Sequence, residues 1–167
     1  MTIQIPPPGE YRIDPAASTV AFRTKHFFGL GAVKGTFTIA EGDITVADPP
    51  TASTVRVVIV ADSINTANPT RDKMVVSKTY LDAANHPTIT FVADSVSPPA
   101  VQGDLAVRGS SASVTLTVES AVTDGENLTL NATTEIDRYD FGVKAMPGMT
   151  GRKLAFTLDV VARKVSG

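Results

Sequence analysis

Residues 114–133 read VTLTVESAVTDGENLTLNAT. Val114, Leu116 and Val118 alternate with Thr115, Thr117 and Glu119. After Asp124-Gly125, Leu128, Leu130 and Ala132 alternate with Thr129, Asn131 and Thr133. Successive side chains of a strand point to opposite faces, so each run has one dry face and one wet face. Two such runs around an Asp-Gly turn make an antiparallel hairpin.

The pattern recurs on both sides of this hairpin. Val20, Phe22 and Thr24 alternate with Ala21, Arg23 and Lys25; Val33, Phe37 and Ile39 with Lys34, Thr36 and Thr38; Leu154, Phe156 and Leu158 with Ala155, Thr157 and Asp159. Segments 55–61, 89–96 and 101–107 complete eight or nine strands, rich in Val and Thr as β-propensity requires. Asp14-Pro15, Glu41-Gly42-Asp43, Asp48-Pro49-Pro50 and Pro98-Pro99 fall between the runs. The fold class is all-β. A sheet this large with one apolar face must close on itself or stack on another sheet. Segment 70–84 departs from the alternation: Met74, Val75, Lys78 and Leu81 stand near helical spacing. Asp72 is a candidate cap, and Asn85-His86-Pro87 a stop.

The chain has 167 residues, 43% hydrophobic and 19% charged. That size and composition describe one globular domain, here 10–165 after a proline-stiffened lead-in at 1–9. Fifteen basic and seventeen acidic side chains leave a net charge of −2. Nucleic-acid binding by a basic surface is not expected. Cysteine is absent and there are two histidines, so thiolate metal sites, disulfides and cysteine nucleophiles are excluded. The start MTIQIPPPGEYRID lacks the basic and apolar regions of a signal peptide. No apolar run approaches the roughly 18 residues of a membrane-spanning helix. The expected location is the cytoplasm.

Closed into an eight-stranded barrel, strands of about nine residues enclose a tube over ~20 Å deep. The inward face mixes Phe22, Phe37, Phe91 and Phe156 with Gly35, Gly103, Ala93 and Ala132. The small residues either leave room for a long apolar ligand or mark bends and fill the taper of a packed barrel. On the first reading, Phe at Ala132 or Gly103 plugs the tube.

Candidate chemistry is sparse. His26 shares parity with Phe22; Arg138 and Asp140 flank Tyr139 beyond an inward-facing strand; Arg71 and Asp72 open the helical segment. These charged pairs form either a polar collar for a ligand head or ion pairs that pin the barrel ends. Nucleophile-elbow, zincin and P-loop motifs are absent.

Several blocks together resemble the YceI-like family. They are Tyr11-x-Ile13-Asp14-x-x-x-Ser18-x-Val20-x-Phe22 with Lys25-His26, then Val33-x-Gly35-x-Phe37. Ser63-Ile64-Asn65-Thr66 with Arg71-Asp72 follows, then Tyr80-Leu81-Asp82 and His86-Pro87-x-Ile89-x-Phe91. The last are Gly103-Asp104-Leu105-x-Val107-x-Gly109 with Val114-x-Leu116, and Arg138-x-Asp140-Phe141-Gly142. They occur in family order over about 11–161. Ala17 departs from a common family histidine, and 109–112 from a common glycine, valine and threonine pattern. The resemblance implies an eight-stranded antiparallel lipocalin-like β-barrel with a short helical segment around 70–84. It implies a long polyisoprenoid or polyprenyl-quinone lipid held inside for transport or storage. It also implies no catalysis, no further cofactor and an often dimeric state.

The candidate ligand-binding residues are Phe22, His26, Phe37, Val57, Ile59, Met74, Leu81, Phe91, Leu105, Leu116, Leu130, Arg138, Phe141 and Phe156. Two rival readings stand beside this one. The first is a barrel-pocket enzyme acting on a small isoprenoid-like substrate through His26, Asp140 or Arg138. The second is a packed barrel that binds other proteins through Phe27-Phe28.

Overall fold

Alternation becomes a closed wall. The computed structural model describes residues 3–26, 31–147 and 151–165, with backbone alone at 25 and 26. The strands are β1 (Gly9–Ile13), β2 (Thr19–His26), β3 (Gly31–Phe37), β4 (Ile39–Val46), β5 (Thr54–Val60), β6 (Thr88–Ala93), β7 (Ala100–Val107), β8 (Ser110–Thr123), β9 (Asn127–Asp137) and β10 (Lys153–Lys164). All are antiparallel, in the order β1-β4-β5-β6-β7-β8-β9-β10-β2-β3, with β1 also pairing β10.

Ten segments make eight staves. β1 and β2 are one strand bent at the 3₁₀ turn Pro15–Ala17, where the Asp14 carboxylate accepts from the Ala16 amide. β3 and β4 are one strand bent at Thr38. β2 pairs β3 and β1 pairs β4, while β10 runs along both β2 and β1. The result is an eight-stranded antiparallel up-and-down barrel of lipocalin-like shape, without an edge at its seam. Two bulges reset the alternation. One lies between Ile39 and Glu41 and turns Gly42, Ile44 and Val46 inward; the other, between Val118 and Ser120, turns Ala121 inward.

The helix is shorter than the sequence suggests. α1 spans Pro69–Val76, and its cap is Asn68, whose side chain accepts from the Arg71 amide. Asp72 does not cap it. Its carboxylate accepts instead from the Thr66 amide at 3.0 Å and from the Thr66 hydroxyl, and Arg71 donates to the Thr66 hydroxyl and carbonyl at 2.9 Å each. This cluster pins the crossing from β5 to the helix. From Ser77 to Asn85 the chain continues as turns.

The inward glycines Gly35 and Gly103 do not leave the room expected of them. A Cβ on Gly35 would lie 2.6 Å from the Phe22 ring, and one on Gly103 2.7 Å from the Phe91 ring and 2.5 Å from the Val92 carbonyl oxygen. Each glycine is the seat of a neighbouring aromatic. Phe22 also meets Phe37 and Phe156 at centroid distances of 5.6 and 5.7 Å. The aromatics therefore cluster where β2, β3 and the first half of β10 meet.

Candidate functional site: an apolar interior and a gap in the wall

The aliphatic half of the barrel keeps a void of about 150 Å³. Its walls are inward residues of successive staves: Ile13, Ile44, Val46, Val55, Val57, Val101, Leu116, Val118, Leu128, Leu130, Ala132, Leu158 and Val160. Ser53 is the buried polar residue at its rim, and its hydroxyl accepts from the Ala47 amide. Among the described residues no buried side-chain N or O lacks a hydrogen-bond partner. A void lined this way stays dry and accepts apolar groups.

One end is closed by the N-terminal segment. Ile3, Gln4, Ile5 and Pro6 line the void. The Gln4 amide donates to the Ala121 carbonyl at 2.8 Å, and its side-chain oxygen accepts from the Thr123 amide at 2.9 Å. The Tyr11 hydroxyl donates to the Pro7 carbonyl. Residues 3–6 thus lie across the void as a cover, held through Gln4, and Pro7 is tied to Tyr11.

A second space of about 570 Å³ opens between β8 and β9. Val114, Ile136, Phe141 and Phe156 line it from inside; Ser113, Thr115, Thr117, Thr133, Glu135 and Thr157 line it from outside. Asp137 and Asp140 stand at its rim. The Asp137 carboxylate accepts from Arg152 Nε at 2.9 Å and from the Tyr139 amide at 3.0 Å. The Arg152 hydrogen bond, helped by that amide, holds its pKa below the ordinary carboxylate value against some desolvation. Arg152 also lies 4.3 Å over the Tyr139 ring.

Of the residues singled out in the sequence, Val57, Leu116 and Leu130 line the dry void, and Phe141 and Phe156 line the second space. Phe22, Ile59 and Phe91 are core residues, with Phe37, Leu81 and Leu105 half-buried against that core. Met74 lies outside: it is 48% exposed on α1 and borders neither space. The helix has no fully buried residue and meets the core only through Val75 and Val76, so helical spacing at Met74 does not mark a ligand wall.

Arg138 is 7% exposed and spends its guanidinium on the chain itself. Nε donates to Gly151 O at 2.8 Å, Nη1 to Val143 O and Nη2 to Ala145 O at 2.7 Å each. It pins the segment before β10 and lines neither space. The side chain of His26 and the pair Phe27-Phe28 lie outside the described residues.

Sequence reasoning missed Ile3 and Ile5, which no periodicity marks. It also missed Val55, Val101 and Val160, which share parity with residues it named, and Val46, which the bulge between Ile39 and Glu41 turns inward. The hydroxyls around the second space look like ordinary outer-face threonines in sequence. Their gathering depends on a break in pairing that alternation does not record.

Fold and interior define a lipocalin-like antiparallel barrel with an apolar void. The YceI-like domain family model matches residues 11–162, and the chain belongs to that family. It is 31% identical over 164 residues to a UPF0312 protein of Pseudomonas putida strain GB-1, covering 90% of this chain and 84% of that one. It is 33% identical over 143 residues to a UPF0312 protein of Staphylococcus aureus strain MSSA476, covering 80% and 81%. Among solved structures, Burkholderia cenocepacia BcnA superposes with a TM-score of 0.80 at 20% identity, over 89% of this chain and 98% of that one. A polyisoprenoid binding domain from Saccharophagus degradans, described as implicated in plant cell wall breakdown, gives 0.73 at 14% identity, over 93% and 98%.

Proposed function

We propose that the protein binds a long-chain apolar ligand of polyisoprenoid or polyprenyl-quinone type, and carries or stores it. The observation that carries this reading is the dry void, walled by aliphatic side chains from most of the staves and free of polar groups seeking partners. Burial of tail surface there is worth roughly 25 cal/mol per Å², and a preformed wall limits the ordering cost on the protein side. The solved polyisoprenoid binding domain of the same shape supports the choice of ligand class.

Size constrains how such a ligand lies. A void of about 150 Å³ matches one benzene-sized group. A tail of several isoprene units needs more. It must extend into the space between β8 and β9 or displace the cover at 3–6.

The test is native mass spectrometry of gently purified protein, with mass spectrometry of an organic extract. A discrete apolar lipid at about one per barrel is expected. A barrel that arrives empty and refuses added polyprenyl alcohols and quinones overturns the reading.

A further inference from the structure

The ladder between β8 and β9 runs from Thr123↔Leu128 to Thr117↔Thr133 and stops there. Both strands continue. β8 stays paired with β7 back to Ser110, and β9 with β10 as far as Asp137. Two strand edges therefore face one another within the wall, across the space of about 570 Å³. At its narrow end the Thr134 hydroxyl donates to the Thr115 carbonyl at 2.8 Å. Beyond that point the 3₁₀ turn Arg138–Phe141 leads β9 away, with Phe141 buried at the inner lip.

Backbone groups on such edges need hydrogen-bond partners. The outer lip is correspondingly polar, with the hydroxyls of Ser113, Thr115, Thr133 and Thr157. The inner lip is apolar. The dry void continues along the same staves: Leu116, Ala132 and Leu158 line it, one residue from Thr115, Thr133 and Thr157. A passage that is polar outside, apolar inside and adjacent to the void suits a ligand with a small polar head and a long apolar tail.

Charge narrows the head. The opening is lined by Glu135, Asp137 and Asp140, and no lysine or arginine is among its described lining residues. Arg152 is engaged with Asp137, and Lys153 stands 3.9 Å from Glu135. Among the described residues that line the opening there is thus no cation to meet a phosphate. Hydroxyls and strand-edge amides and carbonyls instead suit a neutral donor or acceptor.

We propose that the gap between β8 and β9 is the mouth through which the apolar chain enters and leaves, and that it seats a neutral hydrogen-bonding head, a hydroxyl or carbonyl rather than a phosphate. This rests on the apolar-ligand reading above.

The test exploits the absence of cysteine. Thr115→Cys with Glu135→Cys, opposite one another if the register continued two residues further, is joined by a short bis-thiol linker. Val122→Cys with Thr129→Cys, across a paired part of the same two strands, is the control. Each variant is compared with itself before linkage. The probe is retinol, a fluorescent isoprenoid alcohol, with retinoic acid as the same tail bearing an anionic head.

Linkage across the gap is expected to slow retinol uptake and release tenfold or more while the equilibrium affinity shifts less than threefold. The control linkage changes neither rate. Retinoic acid is expected to bind at least tenfold more weakly at neutral pH. If the first pair does not fold, Thr117→Cys with Glu135→Cys spans the narrow end and reads the same rates. Complete linkage with unchanged rates, or equal slowing in the control, overturns the mouth. Equal or tighter binding of retinoic acid overturns the neutral-head assignment. A parent protein that takes up no retinol overturns the apolar-ligand reading and the mouth together; uptake indifferent to linkage overturns the mouth alone.

Discussion

Ala132→Phe places a ring inside the dry void. Ala132 is 2% exposed, lies mid-strand in β9 opposite Val118 and Leu158, and lines the void. The space of about 150 Å³ is what a benzene-sized group needs, so the new ring has somewhere to go. Burying a Phe side chain gains about 1.5–3 kcal/mol, and imperfect fit costs about 1–3 kcal/mol. The two nearly cancel. At about 2–4 °C per kcal/mol for a chain of this length, the melting temperature should stay within about 4 °C of the parent. Ligand binding should not survive so well. A ring there excludes about five tail carbons at about 0.8 kcal/mol each, or about 4 kcal/mol, close to a thousandfold in affinity. Retinol titration and lipid retention in native mass spectrometry read the loss, and circular dichroism reads the fold. A folded variant with the parent's affinity would show that the tail does not occupy this void.

Gly103→Ala should behave in the opposite way. Its Cβ would meet the Val92 carbonyl and the Phe91 ring at 2.5 and 2.7 Å, so β6 and β7 must spread. A loss of about 1–3 kcal/mol is expected in denaturant unfolding, with affinity retained because the position does not border the void. Arg138→Met removes donors from three main-chain carbonyls; with bonds to a charged group worth about 1.5–3 kcal/mol each and about 2–4 °C per kcal/mol, the melting temperature should fall by at least about 9 °C. The depressed pKa of Asp137 ties stability to pH. Its contribution is fully present above the unfolded carboxylate value of about 3.9 and is lost as pH falls from there through the lower folded value. Thermal unfolding between pH 6 and pH 2.5 should therefore decline less steeply in Asp137→Asn than in the parent.

Strand content and the inward parity of Val20, Phe22, Leu116, Leu130 and Phe156 were legible because alternation is local. Closure was legible because one apolar face so large needs burial. What depended on partners was not. Gly35 and Gly103 read as vacancies until the register placed Phe22 and Phe91 over them. The bulges near Glu41 and Glu119 shift parity without any mark in composition. Met74 fits helical spacing on a helix that touches the core only through the half-buried Val75 and Val76, and Asp72 fits a capping pattern but serves Thr66. The gap in the wall left no trace either. Val114–Thr117 and Thr134–Asp137 alternate as faithfully as paired strands do, because alternation reports the two faces of a strand and not its edges.

The seam between the first stave and the last has a consequence for how the protein is made. Asp14 and Arg163 bond across 149 positions of sequence, and Ser18 and Val161 across 143. Every other pairing in the ring joins staves adjacent along the chain. A nascent polypeptide can zip hairpins as it emerges, but until β10 is free of the ribosome it is an open sheet with two adhesive edges. Bringing the ends together across some 140 residues costs about 4 kcal/mol of chain entropy, which the last strand alone recovers. The inside of the barrel comes into being in that single late step. A chain cut short within β10 should aggregate rather than bind, and any cargo must board after β10 has joined the wall.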